Sequence, residues 1–337
     1  MNNRIYYYDF LNIIATIAVL ALHHNGIVHN FTATSSWNQA LIIEVICYWA
    51  VPIFFMLSGA TLMEYRNKYS TKNYFIQRIK RTFLPFLLWS IFWAILYCYW
   101  HKEIPSFFTF IYRIFNTEYQ GVYWFFIPLF GLYILLPIVS KLKNEKKILL
   151  YFCAIIFIFE GLLKPLYRIL EIDTIGGENS LAGPLFFLIS GYLLNKTELK
   201  LNKTILIILT LFCFALRYIV TYKYSYINGE TYRGLFGYYF FTSIIPSFTI
   251  FYIAKIYFAK NNNKRIQIIL EKLSSYSLGV YLLHMFVIYF ELKVLYKFNL
   301  DSSWWCYRSL MIFITYIVCI IIIHFTKKIS LGKYIFP

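Results

Sequence analysis

A stripe of polar side chains along the first long apolar stretch of the chain ends in an ionisable histidine. Four polar residues fall within about 60° of one another on an α-helix, which turns by about 100° per residue: Asp9, Asn12, Thr16 and His23. His24 lies on a different face. Because ionisable groups in an apolar environment are costly, they usually face a cavity or a partner. An imidazole at this place can act as a general base or as a nucleophile.

The apolar stretches of the chain are typical of a membrane protein. Of the 337 residues, 60% are hydrophobic and only 14% are charged, whereas about 25% of the residues of soluble domains are charged. The mean hydropathy is +0.60. The helical period of the apolar runs argues against a β-barrel. We therefore predict an all-α, polytopic integral membrane protein that forms a single domain, residues 1–337.

About ten apolar stretches approach the length of about 17–25 residues with which a helix crosses a bilayer. The predicted spans are 10–28, 41–63, 83–100, 122–140, 148–163, 181–195, 204–222, 237–259, 275–292 and 305–325. Two of them, 148–163 and 181–195, are short, so we expect tilted helices or shifted boundaries there. No cleavage pattern follows the first stretch, and we expect it to be retained.

Basic residues are unevenly distributed between the two sides of these spans. With the N-terminus inside, 21 of the 32 Lys and Arg residues fall on the inner side, which supports two cytoplasmic termini. Basic residues at the inner membrane surface, where they attract anionic lipids, then explain the net charge of +17. A nucleic-acid partner is not needed to explain this charge. The six scattered cysteines show no metal-ligand spacing, so we expect neither a metal site nor a disulfide framework.

Two short motifs that contain a Ser-Gly pair occur within predicted spans. Residues 51–59 read Val-Pro-Ile-Phe-Phe-Met-Leu-Ser-Gly, and residues 186–191 read Phe-Phe-Leu-Ile-Ser-Gly. Pro52 is expected to kink its helix, and Ser58 and Gly59 permit close approach of a neighbouring backbone. Helix packing is the simpler interpretation of both motifs, and an internal repeat is the alternative.

Arg78 and Arg81 lie at the inner start of the third predicted span. At positions i and i+3 they share one helix face. Guanidinium groups match phosphate oxygens bidentately, so the pair could bind a polyanion such as coenzyme A at the cytoplasmic mouth. Ordinary anchoring of the inner helix end is the alternative explanation of these charges.

Further polar and aromatic residues lie within or beside the spans. Tyr123 and Trp124 lie at the predicted outer interface, where aromatic belts are common, although such rings also stack on sugars. His284 is most simply a hydrogen-bonded core residue. Glu44, in the outer half of the second span, is a candidate to orient the imidazole of the polar stripe. Pairing with a basic residue such as Arg217 is the alternative for Glu44.

Five segments, taken in chain order, carry a resemblance to a known family. They are Tyr8-Asp9-x-x-Asn12 with His23; Val51-Pro52-x-Phe54-Phe55-x-x-Ser58-Gly59; Arg78-x-x-Arg81 with Pro85; Tyr123-Trp124-Phe125 with Gly131-x-Tyr133 and Pro137; and Ser277-x-Gly279-x-Tyr281-x-x-His284. The set covers most of the chain. It resembles the membrane acyltransferase-3 family, the bacterial polytopic O-acyltransferases, in the compact form without an appended soluble domain.

The resemblance implies transfer of an acyl group, most often acetyl, from cytosolic acyl-CoA to a hydroxyl of a cell-surface or lipid-linked glycan at the bacterial plasma membrane. It implies that His23 is catalytic. Donor-binding residues would be Asp9, Asn12, Arg78 and Arg81. Residues that could contact the acceptor or support the site are Glu44, Tyr123, Trp124 and His284. The family pattern usually has arginine at position 12, so Asn12 leaves that charge to another residue or marks a diverged member.

The spacing within the first helix places Asp9, a proposed donor-binding residue, far from His23. Asp9 and His23 are fourteen residues apart, about 21 Å along a straight helix, and cannot form a dyad. We expect Asp9 to pair with Arg78 or Arg81 at the inner mouth and His23 to lie toward the outer leaflet. The donor would then enter from inside and the acceptor from outside.

Two other classes of function remain open. A transporter or flippase of a lipid-linked sugar would favour a mid-membrane acidic residue and halves related by a repeat. A non-catalytic partner of a polysaccharide export complex is compatible with Asn12. Turnover of acetyl-CoA by the purified protein would distinguish a transferase from both.

Overall fold

The computed structural model describes residues 4–170, 172, 182–259, 263–301, 303–330 and 332–337. Every regular element within these ranges is helical, which confirms the predicted all-α class. The α-helices are α1 Tyr6–His23, α2 Ser35–Cys47, α3 Ala50–Leu62, α4 Thr71–Arg78, α5 Leu84–His101, α6 Phe107–Phe115, α7 Phe126–Val139, α8 Lys146–Ile156, α9 Lys164–Ile169, α10 Ala182–Lys196, α11 Lys203–Asn228, α12 Phe241–Phe258, α13 Lys264–Ser274, α14 Ser277–Lys297, α15 Trp305–Thr326 and α16 Gly332–Ile335.

Short helical segments of other types connect several of these helices. Two π-helical segments, Ile79–Phe83 and Phe157–Leu163, join α4 to α5 and α8 to α9. The 3₁₀ segments are Gly26–His29, Tyr65–Asn67, Gly121–Phe125 and Ser140–Leu142. Because π turns leave the regular hydrogen-bond ladder and occur often at functional sites, the two π-helical segments mark places to search for one.

Nine helical segments of the described chain are long and apolar enough to cross a membrane. They correspond to nine of the ten predicted spans. The tenth predicted span, 181–195, matches α10, a 15-residue helix described from Ala182, while residue 181 lies outside the described ranges. The prediction of a polytopic membrane protein with about ten spans is therefore confirmed.

Several span boundaries differ from the prediction. The first span begins at Tyr6 and ends at His23, because the chain turns into a 3₁₀ segment at Gly26. The second span breaks at Tyr48 and Trp49, between α2 and α3, and not at Pro52. Pro52 stands at the third position of α3, where its missing N–H is one that a helix start leaves unpaired.

Helix α1 lies at the centre of the bundle. It packs against α2, α3, α12, α13, α14 and α15, and most of its residues are buried. Helix α11 and the continuous segment α8–α9 are mostly exposed, as expected of helices that face lipid. The polar residues of α1 are therefore held inside the protein by packing from several sides.

The two Ser-Gly motifs bring α3 and α10 into close contact. A Cβ atom on Gly59 would lie 1.7 Å from the carbonyl oxygen of Leu188, and one on Gly191 would lie 2.1 Å from that of Met56. Each glycine thus faces the backbone of the other helix, as small residues do in close helix pairs within membranes. Helix packing, the simpler interpretation of the two motifs, is confirmed.

Candidate functional site

A cavity of about 1190 Å³ opens beside the N-terminal end of α1. Helices α1, α3, α7 and α14 form its walls, together with the junction of α4 and α5 and the chain after α15. Residues that line it and are used below are Arg4, Asp9, Asn12, Ser58, Arg78, Lys80, Arg81, Phe125, Tyr281, Lys327 and Lys333. The cavity therefore joins several of the segments that the sequence singles out.

The mouth of this cavity is strongly cationic. Six basic side chains line it against the single carboxylate side chain of Asp9: Arg4, Arg78, Lys80, Arg81, Lys327 and Lys333. The two lysines that follow α15 are more than 200 residues away in the sequence from the other four basic residues. Such a surplus of positive charge favours an anionic ligand with several phosphate groups.

Asp9 is paired with Arg4, so the prediction that it pairs with Arg78 or Arg81 is wrong. The Arg4 guanidinium donates to the two carboxylate oxygens of Asp9 at 2.8 and 2.9 Å, and to Glu271 at 3.1 Å. The hydrogen bond with Asp9 raises the pKa of Arg4 above its ordinary value, so Arg4 stays charged. Arg4 is five residues from Asp9 and just ahead of the helix, and it needs no long-range contact to reach the carboxylate.

Arg78 and Arg81 keep their charges available to a ligand. Within the described ranges, neither has a carboxylate at salt-bridge distance. The Arg78 guanidinium lies over the rings of Tyr74 and Tyr133, at 5.9 and 5.5 Å from their centroids, and its buried Nε has no hydrogen-bond partner in the part of the chain that the structure describes. Arg81 lies in the first π-helical segment. The two guanidinium groups are thus placed at the cavity without a protein anion to neutralise them.

The polar stripe of α1 is only partly open to the cavity. Asp9 and Asn12 line it, and the Asn12 amide donates to Oγ of Ser274 at 3.1 Å. Thr16 is buried and donates its hydroxyl proton to the carbonyl of Asn12. His23 lies at the far end of the helix, where α1 ends.

His23 and His284 form a pair at the C-terminal end of α1. Their ring centroids lie 5.0 Å apart. Nδ1 of His284 lies 2.7 Å from the carbonyl oxygen of Tyr281 and 3.2 Å from that of Val280. Since carbonyl oxygens only accept, Nδ1 carries a proton. Nε2, an acceptor in the neutral ring, is buried without a hydrogen-bond partner among the described residues. Two histidines 261 residues apart in the sequence therefore meet.

Tyr281 and Phe125 separate the cavity from the histidine pair. Both line the cavity, and the Tyr281 ring lies 5.7 Å from that of His284. The Tyr281 hydroxyl donates to the carbonyl of Val122, and the Tyr123 hydroxyl donates to that of Leu282 at 2.6 Å. These reciprocal bonds fix the segment Gly121–Phe125 to α14 one turn before His284.

The match to a known protein family covers most of the chain. The family model described as an acyltransferase domain, acyltransferase 3, matches residues 5–324 of the 337. The chain belongs to the acyltransferase-3 family. No match was found among curated proteins or among solved structures. As a member of this family, the protein is a membrane acyltransferase.

Two predicted residues of this acyltransferase have surroundings other than those expected. Glu44 is buried and pairs with Arg233 at 3.1 Å, so its pairing with a basic residue is confirmed, although the residue is not Arg217. Arg217 is also buried and donates to the hydroxyls of Thr242 and Ser243.

The aromatic pair at positions 123 and 124 is divided between two environments. Tyr123 is only 1% exposed, so the interpretation of its ring as part of an interfacial belt is wrong. It accepts a hydrogen bond from Trp93 and donates one to α14. Trp124 lies in a second cavity, where it stacks on Tyr238.

Sequence reasoning on this acyltransferase missed a hydrogen-bonded chain beside the histidine pair. Nε2 of His24 lies 2.7 Å from the hydroxyl of Thr315, which donates to Glu291 at 2.7 Å. A signal was present, because Glu291 is seven residues after His284 and so shares its face of α14. Among the described residues, no group of three or more His, Cys, Asp or Glu is placed to hold a metal ion.

Proposed function

We propose that this protein is an O-acyltransferase that moves an acyl group, most often acetyl, from cytosolic acyl-CoA to a hydroxyl of a cell-surface or lipid-linked glycan. One observation carries the proposal. A single cavity has a cationic mouth and is lined by Tyr281, whose ring lies 5.7 Å from that of His284. A donor with a phosphate-bearing head and an uncharged acyl arm fits that distribution of charge.

The mouth supplies the groups that bind the donor phosphates. Arg78 and Arg81 line it without carboxylate partners and can each bind a phosphate bidentately. Asn12 carries no charge, but Arg4 places a guanidinium beside Asp9. Arg4 therefore takes the place of the arginine that the family pattern has at position 12, and we expect the donor site to be complete.

His23 is the proposed catalytic base. It removes the proton of the acceptor hydroxyl, the hydroxyl oxygen attacks the thioester carbonyl, and the leaving CoA thiolate takes the proton from His23. General base catalysis of this kind contributes about 10²–10⁴ in rate. His284 is proposed to position His23 by ring contact, because the two ring centroids lie 5.0 Å apart.

The same proposal places the protein in the membrane. The cationic mouth would face the cytoplasm, where acyl-CoA is found, with both chain termini on that side of a bacterial plasma membrane. Arg4 and Pro337 both line the mouth, so the two ends of the described chain lie on one side. The partners are then acyl-CoA, a glycan acceptor and membrane lipids.

Transfer of labelled acetyl from acetyl-CoA tests the catalytic assignment. Membranes that contain wild type, His23→Ala or His24→Ala would be incubated with the envelope glycan of the host. We expect His23→Ala to lose transfer by at least about 10², while His24→Ala keeps most of it. If His23→Ala labels the glycan as well as wild type does, the assignment is wrong. If wild type consumes no donor, a transporter or a non-catalytic partner becomes the better explanation.

The donor site is tested separately by Arg81→Gln. The matched control is Arg265→Gln, since Arg265 is exposed on α13 and lines neither cavity. We expect Arg81→Gln to raise the KM for acetyl-CoA about tenfold, because a charged hydrogen bond contributes about 1.5–3 kcal/mol. Equal KM values for the two variants would remove Arg81 from the donor site.

A further inference from the structure

A second cavity of about 530 Å³ lies on the other side of α7. Trp124, Ile127 and Pro128 face it, whereas Phe125 and Leu129 face the first cavity. The segment 124–129 is therefore a wall between the two. The volume is within the range of about 300–1,000 Å³ found for small-molecule sites, and the proposed donor does not use this cavity.

Three stacked aromatic rings form one side of this second cavity. The ring of Trp124 stacks on that of Tyr238, with centroids 5.2 Å apart, and Tyr238 stacks on Tyr48 at 4.3 Å with the planes 5° from parallel. All three rings line the cavity. A flat aromatic surface binds a ligand that has an apolar face of C–H groups. A pyranose ring has such a face and carries its hydroxyls around the rim.

Polar groups on the same cavity can bind those hydroxyls. Glu160 and Lys164 form an ion pair at 3.0 Å, and their side chains are 16% and 15% exposed. Glu160 lies in the second π-helical segment. Asn116 and Thr117 also line the cavity, and Thr117 has a φ of +58°, which is rare for a β-branched residue. A carboxylate and an amide beside aromatic rings are suited to an uncharged polyol.

Neighbouring residues connect the wall beside the second cavity to His284. Phe125, which follows Trp124, lies 5.7 Å from the Tyr281 ring, and Tyr281 lies 5.7 Å from His284. Leu22, which precedes His23, packs against the same hydrophobic cluster as Tyr238. The second cavity and the first therefore lie on opposite sides of one segment, and Phe125 and Tyr281 connect that segment to His284.

We propose that the second cavity binds a pyranose ring of the acceptor, with Trp124 stacking on its face and Glu160 accepting from its hydroxyls. This inference rests on the proposed function, because it assigns the acceptor of the same reaction. The pyranose ring can come from a lipid-linked sugar or from a polymer, because both present the same apolar ring face and hydroxyl groups to the cavity.

Binding without chemistry tests the assignment. The purified protein in lipid nanodiscs would be titrated with methyl glycosides of neutral, N-acetylated and acidic pyranoses, with saturation-transfer NMR as the readout. Trp124→Leu should weaken binding about tenfold, as expected for the loss of aromatic stacking. Glu160→Gln should weaken it about fivefold, because a charged acceptor is replaced by a neutral one. Competition by the same ring on a polyprenyl diphosphate or in a released polysaccharide identifies its source.

The matched control is Trp100→Leu. Trp100 stacks on a tyrosine, Tyr289, at 4.9 Å, but it lines neither cavity. We expect wild-type affinity in this control. Equal affinity of wild type, Trp124→Leu and Glu160→Gln would overturn the proposal, and Glu160→Gln decides the outcome if Trp124→Leu does not fold.

Acetyl transfer to the host glycan, measured in parallel, separates the two proposals. Transfer by wild type without saturable binding of any glycoside would refute the acceptor cavity and leave the proposed function standing. Saturable binding that depends on Trp124, in a protein that transfers no acetyl, would support a sugar site and refute the proposed function.

Discussion

Because α3 and α10 are in close contact, adding a single methyl group at Gly59 should strongly reduce the stability of the protein. In Gly59→Ala, the new Cβ would lie 1.7 Å from the carbonyl oxygen of Leu188 and 2.6 Å from its carbonyl carbon. Carbon atoms of this kind stay at least 3.0 Å away, so the helices must separate by about 1.3 Å, the difference between 3.0 and 1.7 Å. The obstacle is backbone, which cannot rotate aside.

The free energy of unfolding should therefore fall by about 3 kcal/mol, the upper end of the usual range for overpacking. Reversible unfolding in mixed detergent micelles measures this change. The matched control is Gly26→Ala, since a Cβ atom on Gly26 would meet no other atom within 4 Å. We expect the control to differ from wild type by less than about 0.5 kcal/mol.

The same substitution should reduce activity, because Ser58 and other residues of α3 line the first cavity, the proposed donor site. Acetyl transfer by Gly59→Ala should fall further than the loss of folded protein alone explains. If Gly59→Ala unfolds at the same free energy as Gly26→Ala, α3 and α10 are not packed through this glycine, and the interpretation of both Ser-Gly motifs fails.

Three further predictions concern single hydrogen bonds and charges. Thr315→Val removes the hydroxyl between His24 and Glu291, and should lower the free energy of unfolding by about 1–3 kcal/mol. An unchanged free energy of unfolding would mean that these three side chains are not linked by hydrogen bonds. Tyr123→Phe loses its bond to α14, which should cost about 1 kcal/mol in the same measurement. Arg4→Gln should raise the KM for acetyl-CoA about threefold at low salt and less at high salt, and a salt-independent KM would contradict this.

The sequence alone supports the class of fold and the residues of the polar stripe, because both depend on local patterns. Apolar length predicts the spans, and helical periodicity places Asp9 and Asn12 on one face, where both line one cavity. The contact of His23 with His284 depends on how α1 packs against α14. No periodicity within either helix contains that information.

The wrong partner predicted for Asp9 has a similar physical cause. The prediction takes Arg78 and Arg81 as the candidate partners, because they lie at the same predicted membrane face, and does not consider Arg4. The structure selects Arg4, since its side chain reaches Asp9 across five residues of the same chain, whereas Arg78 lies over two tyrosine rings. A local contact requires no agreement between distant helices, and the outcome leaves Arg78 and Arg81 without a protein carboxylate.

This division of charges follows from the cost of burying phosphate groups. Moving an ionised group from water into an apolar interior costs far more than one hydrogen bond returns, so the phosphates of the proposed donor would stay at the mouth beside Arg78 and Arg81. An uncharged arm with its thioester has no such restriction. Beyond Asn12, the cavity is lined by Phe125 and Tyr281, and this change from charged to aromatic lining would let only the uncharged end of the proposed acyl-CoA donor approach the histidines.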